Sequence, residues 1–363
     1  MNSIYVRRKS DEPSTVKIII TSLVIFAIIV FLGIFSLMLL SGYELKDFIN
    51  IFFDYRNLLS PITIRYCILI ALLSLAFLIN VAGGFINLGG EGLIALSMLA
   101  FLIASVYNLG VFTAFVLSIL LLIAWASIPY VSKVYLESSD VLISFLQNFI
   151  ALFIINHIVT HVFRGELARP RSPPIDPSIN LHYISQDNIL YNYLGRVSIE
   201  SIIVLLVAVV FLTYLLSRTK IGYSLRLLSY STKTASISGV NIPRAIFLNL
   251  LISAILISFA SAELLLGGER KIFYNENAKI GIGSMSFGLG YVSLSIAILS
   301  IRKPYISLLY SYILALGYVM VFSSYGFYRL ILGVAIVGLS LLSVLLSELL
   351  LRYEVRLNWR LKH

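Results

Sequence analysis

The chain has 363 residues, of which 59% are hydrophobic and only 12% charged, and its mean hydropathy is +0.96. That balance excludes a soluble globular domain and indicates a polytopic membrane protein. The net charge of +10 is spread over many short segments between apolar runs, which fits membrane topology better than a nucleic-acid footprint; no nucleic-acid partner is expected.

The N-terminal segment, 1–17, carries Arg7, Arg8 and Lys9 ahead of the first apolar run. That run is longer than a signal core and no clear small-residue cleavage site follows, so it reads as a retained helix. Hydropathy predicts about ten transmembrane helices, near 18–41, 62–80, 92–107, 111–132, 141–161, 198–217, 245–266, 284–301, 304–322 and 330–351. The fold class is therefore all-α. A first half, 18–217, and a second half, 245–351, flank a polar segment, 218–244, and a basic tail, 352–363, closes the chain. An even count puts both termini on one side. With the termini inside, sixteen Lys and Arg fall on inner segments and eleven on outer ones, which points to cytoplasmic termini in a multi-pass cell-membrane protein.

Two stretches interrupt the smooth spans. Residues 80–92 read NVAGGFINLGGEG and residues 279–291 read KIGIGSMSFGLGY, and Gly288-x-Gly290 repeats Gly90-x-Gly92 after 198 residues. By the span count, the helices before them run in opposite directions, so the halves read as an inverted repeat. Broken, glycine-rich helices at matching places in such halves point to a transport pathway. The plainer reading is that the glycines permit close helix packing. Glu91 either faces a pathway or braces a helix terminus at the cytoplasmic end. Asn80 and Asn87 either bind polar solute groups or cross-link helices. Ser286, Gly288, Gly290, Gly90 and Gly92 complete the candidate pathway set.

The proline-rich segment within 161–196, with Pro170, Pro173, Pro174 and Pro177, reads as an extended outer cap or a partner contact. Glu263, late in its span, reaches the outer interface or pairs with a neighbour. His157 and His161 have the spacing of a metal pair without a third ligand nearby in sequence, and read as helix-end residues. Cys67 is the only cysteine, so neither a disulfide framework nor a thiolate metal site is expected. There is no HExxH and no Gly-Lys dipeptide, so no phosphate loop; no catalytic role or cofactor is expected, and any ATPase must be another chain.

The polar segment, Arg218 to Arg244, holds five of the 27 Lys and Arg and no acidic residue. It reads as a cytoplasmic loop with a short helix inside it. Ser231 or Thr232 caps that helix, Thr234 to Ser238 form its body, and Gly239 ends it. Pro243 opens the next span. Such a helix suits either docking of a partner or plain solvation.

Four stretches resemble the permease subunits of ATP-binding-cassette importers, the family of ribose, nucleoside and branched-chain amino acid permeases, and most of all its nucleoside and simple-sugar branch. FINLGGEGLIALSMLA resembles the family's Asn-x-Gly-x-Glu-Gly segment through Asn87, Gly89, Glu91 and Gly92. Asp140, Val141, Ile143 and Asn148 keep the frame of the family's fifth span. RLLSYSTKTASISGVN is similar to its coupling loop, keeping Arg226, Ala235, Gly239 and Asn241, with Ser229, Ser231 and Thr234 as departures. SFGLGYVSLSIAILSIRKP resembles the segment before a later span, with Leu289 where an acidic residue is usual.

The resemblance implies a pathway built from two permeases, identical or related, with two ATPase subunits below and a substrate-binding protein delivering solute from outside. Arg226, Ser231, Thr234, Ala235, Gly239 and Asn241 would then couple to the ATPase. A nucleoside or simple sugar is the expected cargo, with branched-chain amino acids as the alternative. An ion-driven secondary transporter is the competing class; it calls for carboxylates central to the bundle, and only Glu91 and Glu263 offer themselves.

Overall fold

A computed structural model describes residues 4–8, 15–40, 58–165, 170–184, 191–323, 338–344, 346–347 and 353–357. The apolar runs fold as helices because a backbone in hydrocarbon must satisfy its N–H and C=O groups within its own segment. In chain order they are α1 (Thr15–Leu40), α2 (Pro61–Ala82), α3 (Gly90–Val106), α4 (Gly110–Leu136) and α5 (Asp140–His157), which runs on into a π-helical turn, Ile158–Val162. Then come α6 (Tyr191–Leu194), α7 (Ile199–Arg218), α8 (Lys220–Tyr230), α9 (Thr232–Ile237), α10 (Ile242–Leu266), α11 (Leu289–Leu299) and α12 (Pro304–Ser323). A two-stranded antiparallel ribbon pairs β1 (Ile4–Arg8) with β2 (Tyr353–Leu357), bringing the chain ends together.

Among the described residues, α2, α4, α5 with its π turn, α7 and α10 are long and apolar enough to cross a membrane, and α1, α3, α11 and α12 hold shorter apolar stretches. The predicted span 330–351 lies largely outside the described residues, of which 338–344 and 346–347 are helical. Two expectations change. The predicted span 284–301 is helical only from Leu289, because the approach passes through left-handed backbone at Gly281 (φ +74°) and Gly288 (φ +91°). The segment 218–244 holds a second helix, α8, whose Gly222, Leu225 and Leu228 are buried at spacings of three. One apolar stripe of that kind packs a helix onto the bundle while its other faces stay polar.

Helix α2 is the central post. It is buried almost all round from Ile68 to Asn80 and packs against α10, α11 and α12. Helix α3 packs against α4, α5 and α10, so α10 touches both groups. By contrast, α7 buries Ser201, Leu205, Ala208, Leu212 and Leu215 and turns Leu206, Val207, Val210, Phe211 and Tyr214 outward. A helix apolar on its exposed face as well is suited to lipid.

Far from α8 and α9, the proline-rich segment is ordered against the chain after α10. Ser172 N donates to Ile272 O (2.8 Å), Ile175 N to Arg270 O (2.8 Å) and Tyr274 N to Pro170 O (3.0 Å). The Arg270 guanidinium holds Asn180 Oδ1 and the carbonyls of Asp176 and Ile179. Asp176 N in turn donates to Ser105 Oγ at the end of α3 (2.7 Å), so this cap sits directly on the bundle.

Candidate functional site

The two glycine-rich stretches meet. Helices α3 and α11 touch at their N-termini and run away from each other, α3 toward the proline-rich cap and α11 toward the turn that faces α8. The approach is so close that a Cβ on Gly290 would lie 2.6 Å from the carbonyl carbon of Gly90 and the nitrogen of Glu91. A Cβ on Gly90 would lie 3.0 Å from Gly290 Cα. Glycine is required at both positions because backbone lies where a side chain would go.

Glu91 closes this junction. It is fully buried, and its Oε2 accepts from Gly283 N (2.7 Å), Gly288 N (3.2 Å) and Ser286 Oγ. Its Oε1 accepts from Gly290 N at 2.6 Å. Removing a carboxylate from water costs several kcal/mol. Here four donors and the positive end of α11 offset that cost. The side chain thus braces a helix terminus. It does so at depth and not at a helix-bundle end, since the 11 residues of α11 set it ~16 Å from the turn beyond.

Helix α5 caps the other partner. Asn148 Oδ1 accepts from Gly92 N (2.6 Å), an N–H that the start of α3 leaves free, while Ser144 Oγ accepts from Leu88 N (3.0 Å) and Asp140 Oδ2 from Ile86 N (2.9 Å) in the loop before it. The Asn148 amide also donates to Gly281 O (2.7 Å) and Tyr291 Oη (2.9 Å), which ties α5 to the approach of α11. Lys133 pairs with Asp140 at 2.9 Å, donates to Gly84 O and lies over the Phe85 ring. Asn87 is buried and accepts from Gly89 N (2.8 Å), tightening its own turn.

The junction therefore gathers Asn87, Gly90, Glu91, Gly92, Ser286, Gly288 and Gly290. Asn80 lies apart from it, on the α2–α10 crossing, where its amide donates to Ser253 Oγ (3.2 Å). The capping roles of Asp140, Ser144 and Asn148 were not read from the sequence. Their spacing of four along one helix face was the available signal. Tyr291 and the carbonyl of Gly281 offered none.

A second buried carboxylate, Glu263, caps α7. Its Oε2 accepts from Ser198 N (3.1 Å), Ser198 Oγ and Ser201 Oγ (2.9 Å), and Arg65 lies 3.8 Å from its Oε1. Arg65 also donates to Glu263 O, closing the C-terminus of α10. His157 and His161 are exposed, their rings 4.8 Å apart, and no metal-holding cluster of three occurs among the described residues.

At the opposite end from the cap, α8 and α9 form an elbow. Thr219 Oγ1 accepts from Gly222 N at the start of α8. Ser231 Oγ accepts from Thr234 N at the start of α9. Gly239 ends α9 in the left-handed region (φ +76°), with Gly239 N donating to Ser236 O and Val240 N to Ala235 O, the paired bonds that close a helix C-terminus. Asn241 Oδ1 accepts from Arg244 N and starts α10. Ala235 is buried and anchors the elbow; Thr234 is exposed, and Ile237, 88% exposed, and Tyr230, 77% exposed, stand out from it. Arg226 donates to Leu216 O, tying α8 back to the end of α7.

The family described as branched-chain amino acid transport system / permease component matches residues 61–345. The chain belongs to that family. Neither a curated protein nor a solved structure matches it. The match begins at the first residue of α2 and takes in both glycine-rich stretches, the elbow and α12. This permease is thus a multi-pass membrane protein of the ABC type, a transport component that is not itself catalytic.

Proposed function

We propose that this permease forms the translocation pathway of an ATP-driven importer for a small neutral polar solute, a nucleoside or simple sugar, delivered by a separate binding protein. Two permease chains, the same or related, would enclose the pathway, and ATPase subunits would dock on the α8–α9 elbow at the cytoplasmic face. Arg226, Ser231, Thr234, Ala235, Gly239 and Asn241 shape that elbow, and Ile237 and Tyr230 give it apolar contacts to offer. The paired half-helices α3 and α11 form the core of an inverted repeat, and Asn80, Asn87, Glu91 and Ser286 belong to the scaffold that frames the pathway.

One observation carries the choice of driving force. Of the carboxylates buried among the described residues, Glu91 is held by four donors, Asp140 by Lys133 and Ile86 N, and Glu263 through Oε2 by the start of α7, while its Oε1 accepts no hydrogen bond and has Arg65 3.8 Å away. Ion-coupled transport needs an intramembrane group that takes up and releases its ion. Each is tied to a helix start or lies beside a cation, which supports a driving force supplied by another protein, and the elbow is a surface that can receive it. The buried polar residues are mostly Ser and Asn, which suits a neutral solute.

The solute class is tested in proteoliposomes holding the permease with its ATPase and binding protein, supplied in turn with labelled uridine, ribose and leucine. Preference for uridine or ribose is expected. Preference for leucine would move the cargo to branched-chain amino acids.

A further inference from the structure

Ser229, on the last turn of α8, touches two turns at once. On one side it meets the turn that leads from α2 into α3. Gly84 (φ +81°) packs so tightly on it that a Cβ there would lie 2.6 Å from Ser229 Cα, and one on Gly83 would lie 3.3 Å from Leu225. Lys133 and Asp140 grip the same turn at Gly84 O and Ile86 N, so it is held to α4 and α5 and cannot slide independently of Glu91, which lies seven residues beyond Gly84.

On the other side Ser229 Oγ accepts from Arg302 Nη2 (2.8 Å) and donates to Arg226 O (2.7 Å). Arg302 lies in the turn between α11 and α12, where it and Ile301 both take positive φ, 60° and 49°. Left-handed backbone is unfavourable for a β-branched residue such as Ile301, and it persists only where surroundings hold it. Burial lowers the pKa of the Arg302 guanidinium, and Arg226 nearby adds to this.

The two turns that Ser229 touches are the one entering α3 and the one leaving α11. Those are the two helices whose N-termini are fused through Glu91, Gly90 and Gly290. A displacement of the elbow therefore pushes on both members of the junction together, through packing on Gly84 and through a charge-assisted hydrogen bond to Arg302. Coupling needs this kind of continuous physical connection between two movable parts.

We propose that Ser229 and Arg302 are positioning residues that link the α8–α9 elbow to the α3–α11 junction, so that motion of the elbow is transmitted to both half-helices. The coupling role rests on the importer reading above; the linkage itself is a property of this chain.

Two measurements test it. In the full complex in proteoliposomes, with uridine, ribose and leucine as labelled probes, R302A and S229A are compared with the parent for solute taken up per ATP hydrolysed. That ratio should fall by on the order of tenfold while hydrolysis continues, the scale of one charge-assisted hydrogen bond, and R302K should recover part of it. A residue that only stabilises the fold would lower uptake and hydrolysis together, so an unchanged ratio overturns the coupling role.

Amide exchange on the purified permease reads the linkage without partners. R302A and S229G should both speed exchange at 83–89 and at 300–303. Loosening confined to 300–303 would overturn the linkage. A parent complex that shows no ATP-driven uptake would overturn the importer reading and the coupling role with it, and the exchange result would still decide the linkage.

Discussion

Gly290 and Gly239 both lie in segments singled out in the sequence, but for different physical reasons. At Gly290 the space for a side chain is filled by the backbone of Gly90 and Glu91, and backbone cannot rotate away. At Gly239 nothing lies within 4 Å, and only the left-handed φ resists a side chain. G290A should therefore lose ~3 kcal/mol or more of stability, at the upper end of what overpacking costs. G239A should lose ~1 kcal/mol, the cost of left-handed backbone for alanine. Cys67, the lone cysteine, lies half-buried on α2 and gives a single reporter for thermal unfolding in detergent with a thiol-reactive dye. Equal melting temperatures for the two variants would show that the backbone crossing is not tight.

At the scale of the element, α9 carries a cap at each end and little buried area of its own. Ala235 alone of α9 is buried. Such a helix keeps its shape by Ser231 and the Gly239 closure while its outer face stays free for a partner. I237D leaves both caps in place and puts a charge at the centre of that face. It should weaken retention of the ATPase by about tenfold or more, as loss of an apolar anchor does at an interface, with the permease itself melting as before. Undiminished ATPase retention on a co-purification assay would mean that the docking surface lies elsewhere.

Much of this element was legible in advance. Ser231, Gly239 and Pro243 mark a start, a stop and a new start, and these are local signals. Helix α8 was less legible because Arg218, Lys220 and Arg226 dominate the composition and obscure the stripe of Gly222, Leu225 and Leu228. The junction divides in the same way. The repeated Gly-x-Gly spacing was visible in the sequence, but that Gly90 and Gly290 meet could not be anticipated. That Glu91 would reach across nearly 200 residues to cap α11 could not, because a cap is a contact in space and neither sequence neighbourhood names its partner. The glycine-rich break at 279–291 was visible in the sequence, but the place of the helix start at Leu289 is set by the left-handed backbone at Gly288, which hydropathy does not report.

Across the whole molecule, both ends of the bundle are braced in different ways. The proline-rich cap is held by Arg270 and by backbone pairing with 270–274, and the opposite end is held by Ser229 between two turns. The junction of α3 and α11 lies between them, locked by the hydrogen bonds that Glu91 accepts. In the importer reading proposed above, a separate ATPase supplies the energy, which fits membership of this permease family.

The most direct measurement is uptake of labelled solute into proteoliposomes that hold the permease, its ATPase and its binding protein, with ATP supplied or withheld and the ion gradient intact or collapsed by an ionophore. Uptake should require ATP and the binding protein and should survive loss of the gradient. Uptake that proceeds without ATP and stops when the gradient collapses would contradict the ATP-driven importer and remove the docking role of the elbow.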